Sequence, residues 1–205
     1  MESLIGKKLG MTQVFEETGR AIPVSVLQVG PCPIVQVKTP EKDGYSAVQI
    51  GYDEKKEKHT LKPMAGHFKQ AGVKPQRILK EFRVDDSAPF KVGELVDLKL
   101  FEGVNRVNVA GITKGRGFTG ATKRWGFKTG RATHGNKCHR APGAVGQCAW
   151  PARIFKGKKM PGRMGGVQQT VRNLEVVQID VENNLLFVKG AVPGATNGML
   201  FIRKA

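Results

Sequence analysis

Leu174-Glu-Val-Val-Gln-Ile-Asp-Val-Glu-Asn-Asn-Leu-Leu-Phe-Val-Lys189 reads as two short β-strands joined at a turn. Residues 174–181 and 184–189 are rich in β-branched and large apolar side chains that mostly alternate with polar ones, and Glu182-Asn-Asn184 supplies the turn. The same texture recurs upstream in Ala21-Ile-Pro-Val-Ser-Val-Leu-Gln-Val29, Ile34-Val-Gln-Val-Lys38, Ala47-Val-Gln-Ile-Gly-Tyr52, Leu95-Val-Asp-Leu-Lys-Leu100 and Arg106-Val-Asn-Val109. Glu17-Thr-Gly19, Lys42-Asp-Gly44 and Pro193-Gly194 are further turn signals. Seven short strands without a long helical repeat predict a mainly β body, an antiparallel barrel or sandwich. One helix is expected at residues 64–70, after Pro63 and before Gly72.

The strands fall on both sides of a segment of different chemistry. From Gly103 to Leu174 the chain holds 15 of its 34 Lys and Arg and none of its 17 Asp and Glu. That leaves 19 basic against 17 acidic side chains everywhere else, so +15 of the formal +17 belongs to one contiguous third of the chain. The body is therefore expected to be discontinuous, residues 1–110 with 167–205, and to carry an inserted basic extension at 111–166.

The extension has little with which to build a core. Half of the chain's 26 Gly fall within it, each costing backbone entropy without burying a side chain, and its larger apolar groups are scattered. Its chemistry fits a largely irregular segment ordered by an anionic partner, because neutralising phosphates releases counterions and glycine lets the backbone approach closely. Trp125 and Phe127, interleaved with Lys123, Arg124 and Lys128, offer faces for unpaired bases or, more simply, packing surfaces for an Arg stem. A basic tail is disfavoured because both ends are tethered, and a solvated surface ordinarily mixes both signs.

Three patterns reminiscent of enzymes are weaker. Gly115-Arg-Gly-Phe-Thr-Gly120 matches a dinucleotide-binding turn, but Gly126 and Gly130 interrupt the helix that should follow, and no acid for a ribose appears before Glu175. His134, Cys138, His139 and Cys148 are four potential zinc ligands without the usual paired spacing, and the same residues could form only an unoriented Cys/His pair. Three cysteines fit a reducing compartment, while His59 and His67 carry no separate signal. The N-terminus lacks the order of a secretory signal and no run of 18 apolar residues is present, so a cytosolic chain is expected. Two rival classes share the charge: a β protein on anionic membrane or a heparin-like polyanion, and a zinc-dependent enzyme on nucleic acid.

The residues also carry a resemblance. Ile5-Gly-Lys-Lys-Leu-Gly-Met-Thr-Gln-Val-Phe15, Gly66-His-Phe68, Lys80-Glu-Phe-Arg83, Gly111-Ile-Thr-Lys-Gly-Arg-Gly-Phe118, Lys123-Arg-Trp125, Thr133-His-Gly135, His139-Arg-Ala-Pro-Gly143, Phe155-Lys-Gly-Lys-Lys-Met160 and Val188-Lys-Gly-Ala-Val-Pro-Gly194 resemble, in order and nearly end to end, the bacterial form of the family of ribosomal protein number three of the large subunit. The resemblance implies a barrel related to that of translation factors, lying on the outer face of the subunit. It implies an extension, about residues 114–164, that threads into the large-subunit rRNA toward the peptidyl-transferase centre, with its tip near residues 145–153. It further implies early rRNA binding that helps initiate assembly, partners among large-subunit rRNA and neighbouring ribosomal proteins, and no enzymatic activity, cofactor, membrane or small-molecule substrate.

The expected rRNA contacts are Lys114, Arg116, Lys123, Arg124, Trp125, Lys128, Arg131, His134, Lys137, His139, Arg140, Trp150, Arg153, Lys156, Lys158, Lys159 and Arg163. Close backbone approach is expected at Gly115, Gly117, Gly120, Gly143 and Gly146. The tip departs from the family pattern. Pro142-Gly-Ala-Val-Gly-Gln-Cys-Ala-Trp-Pro-Ala152 has Ala149 where some relatives carry a methylated glutamine, and Trp150 where a small polar residue is usual. No modification is therefore expected there, and the Trp150 ring is expected to stack on a base or wedge between rRNA segments.

Overall fold

The structure is a computed structural model and describes residues 2–85 and 89–205. It divides into two compact units, Met1–Ile112 with Gln168–Ala205, and Thr113–Val167. The strands are β1 (Ser3–Phe15), β2 (Ala21–Val29), β3 (Cys32–Lys38), β4 (Ala47–Glu54), β5 (Gln76–Arg83), β6 (Leu95–Val96), β7 (Arg106–Ile112), β8 (Phe118–Thr119), β9 (Gly162–Arg163), β10 (Gln168–Asp180), β11 (Leu185–Lys189) and β12 (Met199–Lys204). The helices are α1 (Pro40–Asp43), α2 (Lys62–Ala71) and α3 (Ala121–Trp125).

The first unit is built on a closed barrel of order β1-β12-β7-β10-β11-β2, antiparallel throughout. Closure removes the unpaired edges that an open sheet of this size would present. Alternation along each strand sends Leu4, Leu27, Val29, Val107, Val109, Leu186, Val188, Leu200 and Ile202 to a fully buried interior. Space there is tight at Gly6, where a Cβ would lie 2.8 Å from the Gln28 carbonyl oxygen, and at Gly111, where it would lie 2.6 Å from Leu200 Cδ2. The β1–β2 register shifts between Lys8 and Gly10, which re-aims the chain and leaves Gly10 with no neighbour in the path of a Cβ. Lys8 buries its stem and donates from Nζ to the Val192 carbonyl, 3.2 Å away.

A second sheet of order β5-β4-β3-β6 shares the same apolar cluster through Ile34, Val48, Ile50 and Tyr52. Two polar ties join it to the barrel strands. Tyr52 donates its hydroxyl to Gln28 O at 3.2 Å, and the Cys32 thiol donates to Ile5 O at 3.5 Å. Burial pushes the Cys32 thiol up to about 12, so it stays protonated and acts as a small apolar core residue. Helix α2 begins with Pro63 in its first turn, ends at Gly72 in the left-handed region (φ 66°) and buries Phe68.

The mainly β body and its antiparallel barrel agree with the sequence reading, and α2 encloses the expected helix. Residues 95–100 do not form the expected strand. After the short β6 the chain turns into a 3-10 helix at Leu98–Phe101, because a spacing of three places both Leu98 and Phe101 in the core. Strands β1, β5 and β12, with the short β8 and β9, are additions to the sequence-derived set. Among the described residues no helix is long and apolar enough to cross a membrane.

On the outer side of the second sheet, Lys38, Tyr45, Gln49, His67 and Glu81 form one hydrogen-bonded chain. Lys38 Nζ donates to Tyr45 Oη (2.7 Å), Tyr45 donates to Glu81 Oε2 (2.9 Å), Gln49 Nε2 donates to Glu81 Oε1 (3.2 Å), and His67 Nε2 donates to Gln49 Oε1 (2.8 Å). Lys38 also lies 3.0 Å from Glu81 Oε1. The Lys38 ammonium, then the Tyr45 and Gln49 donors, hold the Glu81 carboxyl below its usual range; Tyr45 and Glu81 together hold Lys38 above its own.

Two outcomes follow from this geometry. Gly6→Ala is expected to lower unfolding stability by about 1–3 kcal/mol because a backbone carbonyl must shift, whereas Gly10→Ala stays within about 0.5 kcal/mol; urea melts of both variants read the difference. Because the folded state favours ionised Glu81, its contribution is present at neutral pH and disappears as pH falls through the folded-state value. Glu81→Gln should therefore lower Tm at pH 7, and the gap to the parent should close as pH falls through the folded-state value; a gap that persists unchanged in acid would contradict the network.

Candidate nucleic-acid interface

The second unit, Thr113–Val167, begins as two chain segments running side by side. Thr113 N donates to Val167 O (2.9 Å), Gly166 N to Thr113 O (3.1 Å), Arg116 N to Met164 O (2.8 Å) and Met164 N to Gly117 O (3.0 Å). The pairs Phe118↔Arg163 and Thr119↔Gly162 of β8 and β9 continue this stalk. The sequence permits so narrow a ladder because glycine stands where backbone crowds backbone: a Cβ on Gly165, whose φ is 73°, would run into Lys114 O.

Past the stalk, α3 makes a single short turn of helix and is stopped by Gly126 in the left-handed region (φ 71°). This brevity removes the helix that a dinucleotide-binding turn would require. Arg124 and Trp125 at its end share one acceptor, with Arg124 Nη1 and Trp125 Nε1 each 2.9 Å from Met160 O. The Arg124 guanidinium lies 4.9 Å from the centre of the Trp125 ring and the Lys159 ammonium lies 5.5 Å from it. Trp125 therefore clasps the two limbs together through cation–π and hydrogen-bond contacts.

Farther out, Gly130 N donates to His139 O (3.2 Å), His139 Nδ1 donates to Arg131 O (3.0 Å) and Cys138 N donates to Asn136 Oδ1 (2.8 Å). A Cβ on Gly130 would collide with the Asn136 side chain, so this glycine is required by internal packing. His139 is thereby engaged with backbone. Among the described residues no three His, Cys, Asp or Glu side chains come together as a metal site, and His134, Cys138, His139 and Cys148 do not converge. At the tip Gly146 faces Arg153 O, 3.7 Å from where its Cβ would be, and Trp150 is 87 % exposed.

The charged groups show one common placement. Arg124 is half-buried; Lys114, Arg116, Lys123, Lys128, Arg131, Lys137, Arg140, Arg153, Lys156, Lys158, Lys159 and Arg163 are all exposed, as are His134 and His139. The segment contains no acid, and every ion pair found among the described residues lies in the other unit. The sequence-derived glycines divide by cause. Gly117 and Gly143 have positive φ (66° and 75°), a conformation that itself favours glycine. Gly115 and Gly120 have no positive φ, and a Cβ on either would meet nothing within 4 Å, so neither internal sterics nor backbone conformation demands the missing side chain. Sequence reasoning did not find the packing glycines Gly130, Gly162 and Gly165 or the Met160 carbonyl, since their partners lie up to tens of residues away.

Comparison with known proteins places this architecture. The family model for Ribosomal protein L3 matches residues 90–182. Large ribosomal subunit protein uL3 of Thermotoga petrophila is 54 % identical over 205 residues, covering 100 % of this chain and 98 % of that protein. The protein of the same name from Petrotoga mobilis is 49 % identical over 205 residues (100 % and 96 %), and that from Alkaliphilus metalliredigens 50 % identical over 203 residues (99 % and 97 %). With identity of this order over the full length of the chain, it belongs to the ribosomal protein L3 family, in its bacterial form.

Proposed function

We propose that the protein is a structural constituent of the large ribosomal subunit in the bacterial cytoplasm, that it binds large-subunit rRNA, and that it acts as a scaffold with no enzymatic step. The observation that carries this reading is the second unit, whose Lys and Arg side chains are unopposed by any acid and, Arg124 aside, all exposed. Such a surface is destabilised by its own repulsion until phosphates neutralise it, and the same neutralisation joins rRNA segments that would otherwise repel each other.

The division of labour follows from the two units. The barrel is a closed, apolar-cored body suited to rigid docking. The stalk, held by the Met160 carbonyl and the β8–β9 ladder, carries cations into rRNA, and the open backbone at Gly115 and Gly120 lets phosphate approach without a side chain in the way. Planar guanidinium groups of Arg116, Arg131 and Arg140 suit bidentate phosphate contacts that lysine cannot make. The extension reaches toward the peptidyl-transferase centre with its tip at residues 145–153, and early binding of the whole protein helps initiate subunit assembly. Neighbouring large-subunit proteins complete its set of partners.

Replacing residues 114–164 by a short glycine linker between Thr113 and Gly165 tests the division directly. Circular dichroism should show the β body intact, and affinity for large-subunit rRNA should fall by at least about a hundredfold; undiminished affinity would locate binding in the barrel. For the intact protein, log K against log[salt] should be linear with a slope between about −4 and −9, corresponding to roughly 6–10 neutralised phosphates at about 0.7–0.9 each. A flat plot would rule out counterion release. Equal affinity for anionic vesicles would favour a general polyanion binder.

A further inference from the structure

Phe118 differs from Trp125 in its surroundings. Its ring is 82 % exposed, and among the described residues no other ring and no cation is stacked on it. Trp125, by contrast, has its indole N–H committed to Met160 O and two cations over its ring. The exposure of Phe118 has a local cause. In β8 the neighbouring Thr119 is buried, its hydroxyl lying 3.3 Å from both Arg116 O and Gly117 O, and strand alternation then turns Phe118 to the opposite face. The ladder partner Arg163 shares that outward face, and the backbone beneath is fixed by the Arg116–Met164 and Met164–Gly117 hydrogen bonds.

A large apolar ring held in water on a rigid strand, among cations and no acids, is matched in chemistry by a nucleotide: its base covers the ring and its phosphates meet the flanking arginines. We propose that Phe118 is a stacking platform for one unpaired base of the rRNA, an inference that rests on the rRNA-binding reading above. The stack adds a sequence-tolerant contact to an otherwise electrostatic surface. It also fixes where along the stalk a single-stranded nucleotide sits.

Full-length protein and its Phe118→Ala, Phe118→Leu and Phe118→Tyr variants, titrated with large-subunit rRNA across a salt series, test this. Phe118→Ala and Phe118→Leu should weaken binding by roughly 5- to 150-fold with the salt slope unchanged, and Phe118→Tyr should bind as the parent does. Because the side chain is exposed, all variants should melt with the parent. Zero-length ultraviolet cross-linking of the parent should yield a peptide with one nucleotide on Phe118. Parent-like binding by Phe118→Ala overturns the stack, and parent-like binding by Phe118→Leu reduces it to a non-specific apolar contact and also overturns it. Weakening seen only when other large-subunit proteins are present would make Phe118 a protein-docking residue instead. A parent that fails to bind rRNA at all would overturn the underlying reading as well.

Discussion

The pairing of β7 with β10 is the constraint on which the rest of this molecule depends. Ile112 stands opposite Gln168 and Gly111 opposite Gln169, so the whole segment Thr113–Val167 occupies the place of a hairpin connection between these strands. The ends of the segment are already held at ladder distance by a barrel with its own core. Loop-closure entropy grows only slowly with length, so a very long connection costs the barrel little more than a short one. Thr113 and Val167, the first and last residues of the segment, pair in turn, so the chain leaves and returns as a ladder.

What the extension does with that freedom is governed by charge. The barrel and second sheet bury leucine, isoleucine and valine in a single cluster and balance their few buried polar groups internally. The extension buries almost nothing. It is shaped instead by backbone hydrogen bonds, by glycines that let two chain segments run close together, and by the shared carbonyl of Met160 that draws Arg124 and Trp125 onto the opposite limb. A scaffold of this kind keeps its cations on the outside, where no acid of the segment opposes them.

Much of this was legible in the sequence. The absence of acid from Gly103 to Leu174, the glycine excess and the alternating strands on either side mark off a near-neutral body from a basic insertion. The Pro63 and Gly72 signals marked α2 closely. Local pattern failed where a tertiary contact overrode it. Leu98 looks like a strand residue until the core draws it inward together with Phe101 at a spacing of three, and the exposed outer part of β1 lacks the alternation that marks a half-buried strand. In the extension, the cations could be counted from sequence, but an engaged ring such as Trp125 could not be told from an open one such as Phe118, since the difference lies in contacts with Met160 and Lys159 far along the chain.

By itself, then, the sequence determined composition-level properties: which third of the chain carries the charge, that the body is β, and that no acid is available within the insertion to satisfy its arginines. Those properties depend on residue types and near neighbours. The tertiary structure alone decided that β1 meets β12 to close the barrel, that β3 to β6 form a separate sheet on the same core, and which glycines are needed for packing and which leave backbone open. Each of these is settled by groups far apart in the chain meeting within a few ångströms, and short-range pattern does not encode that encounter.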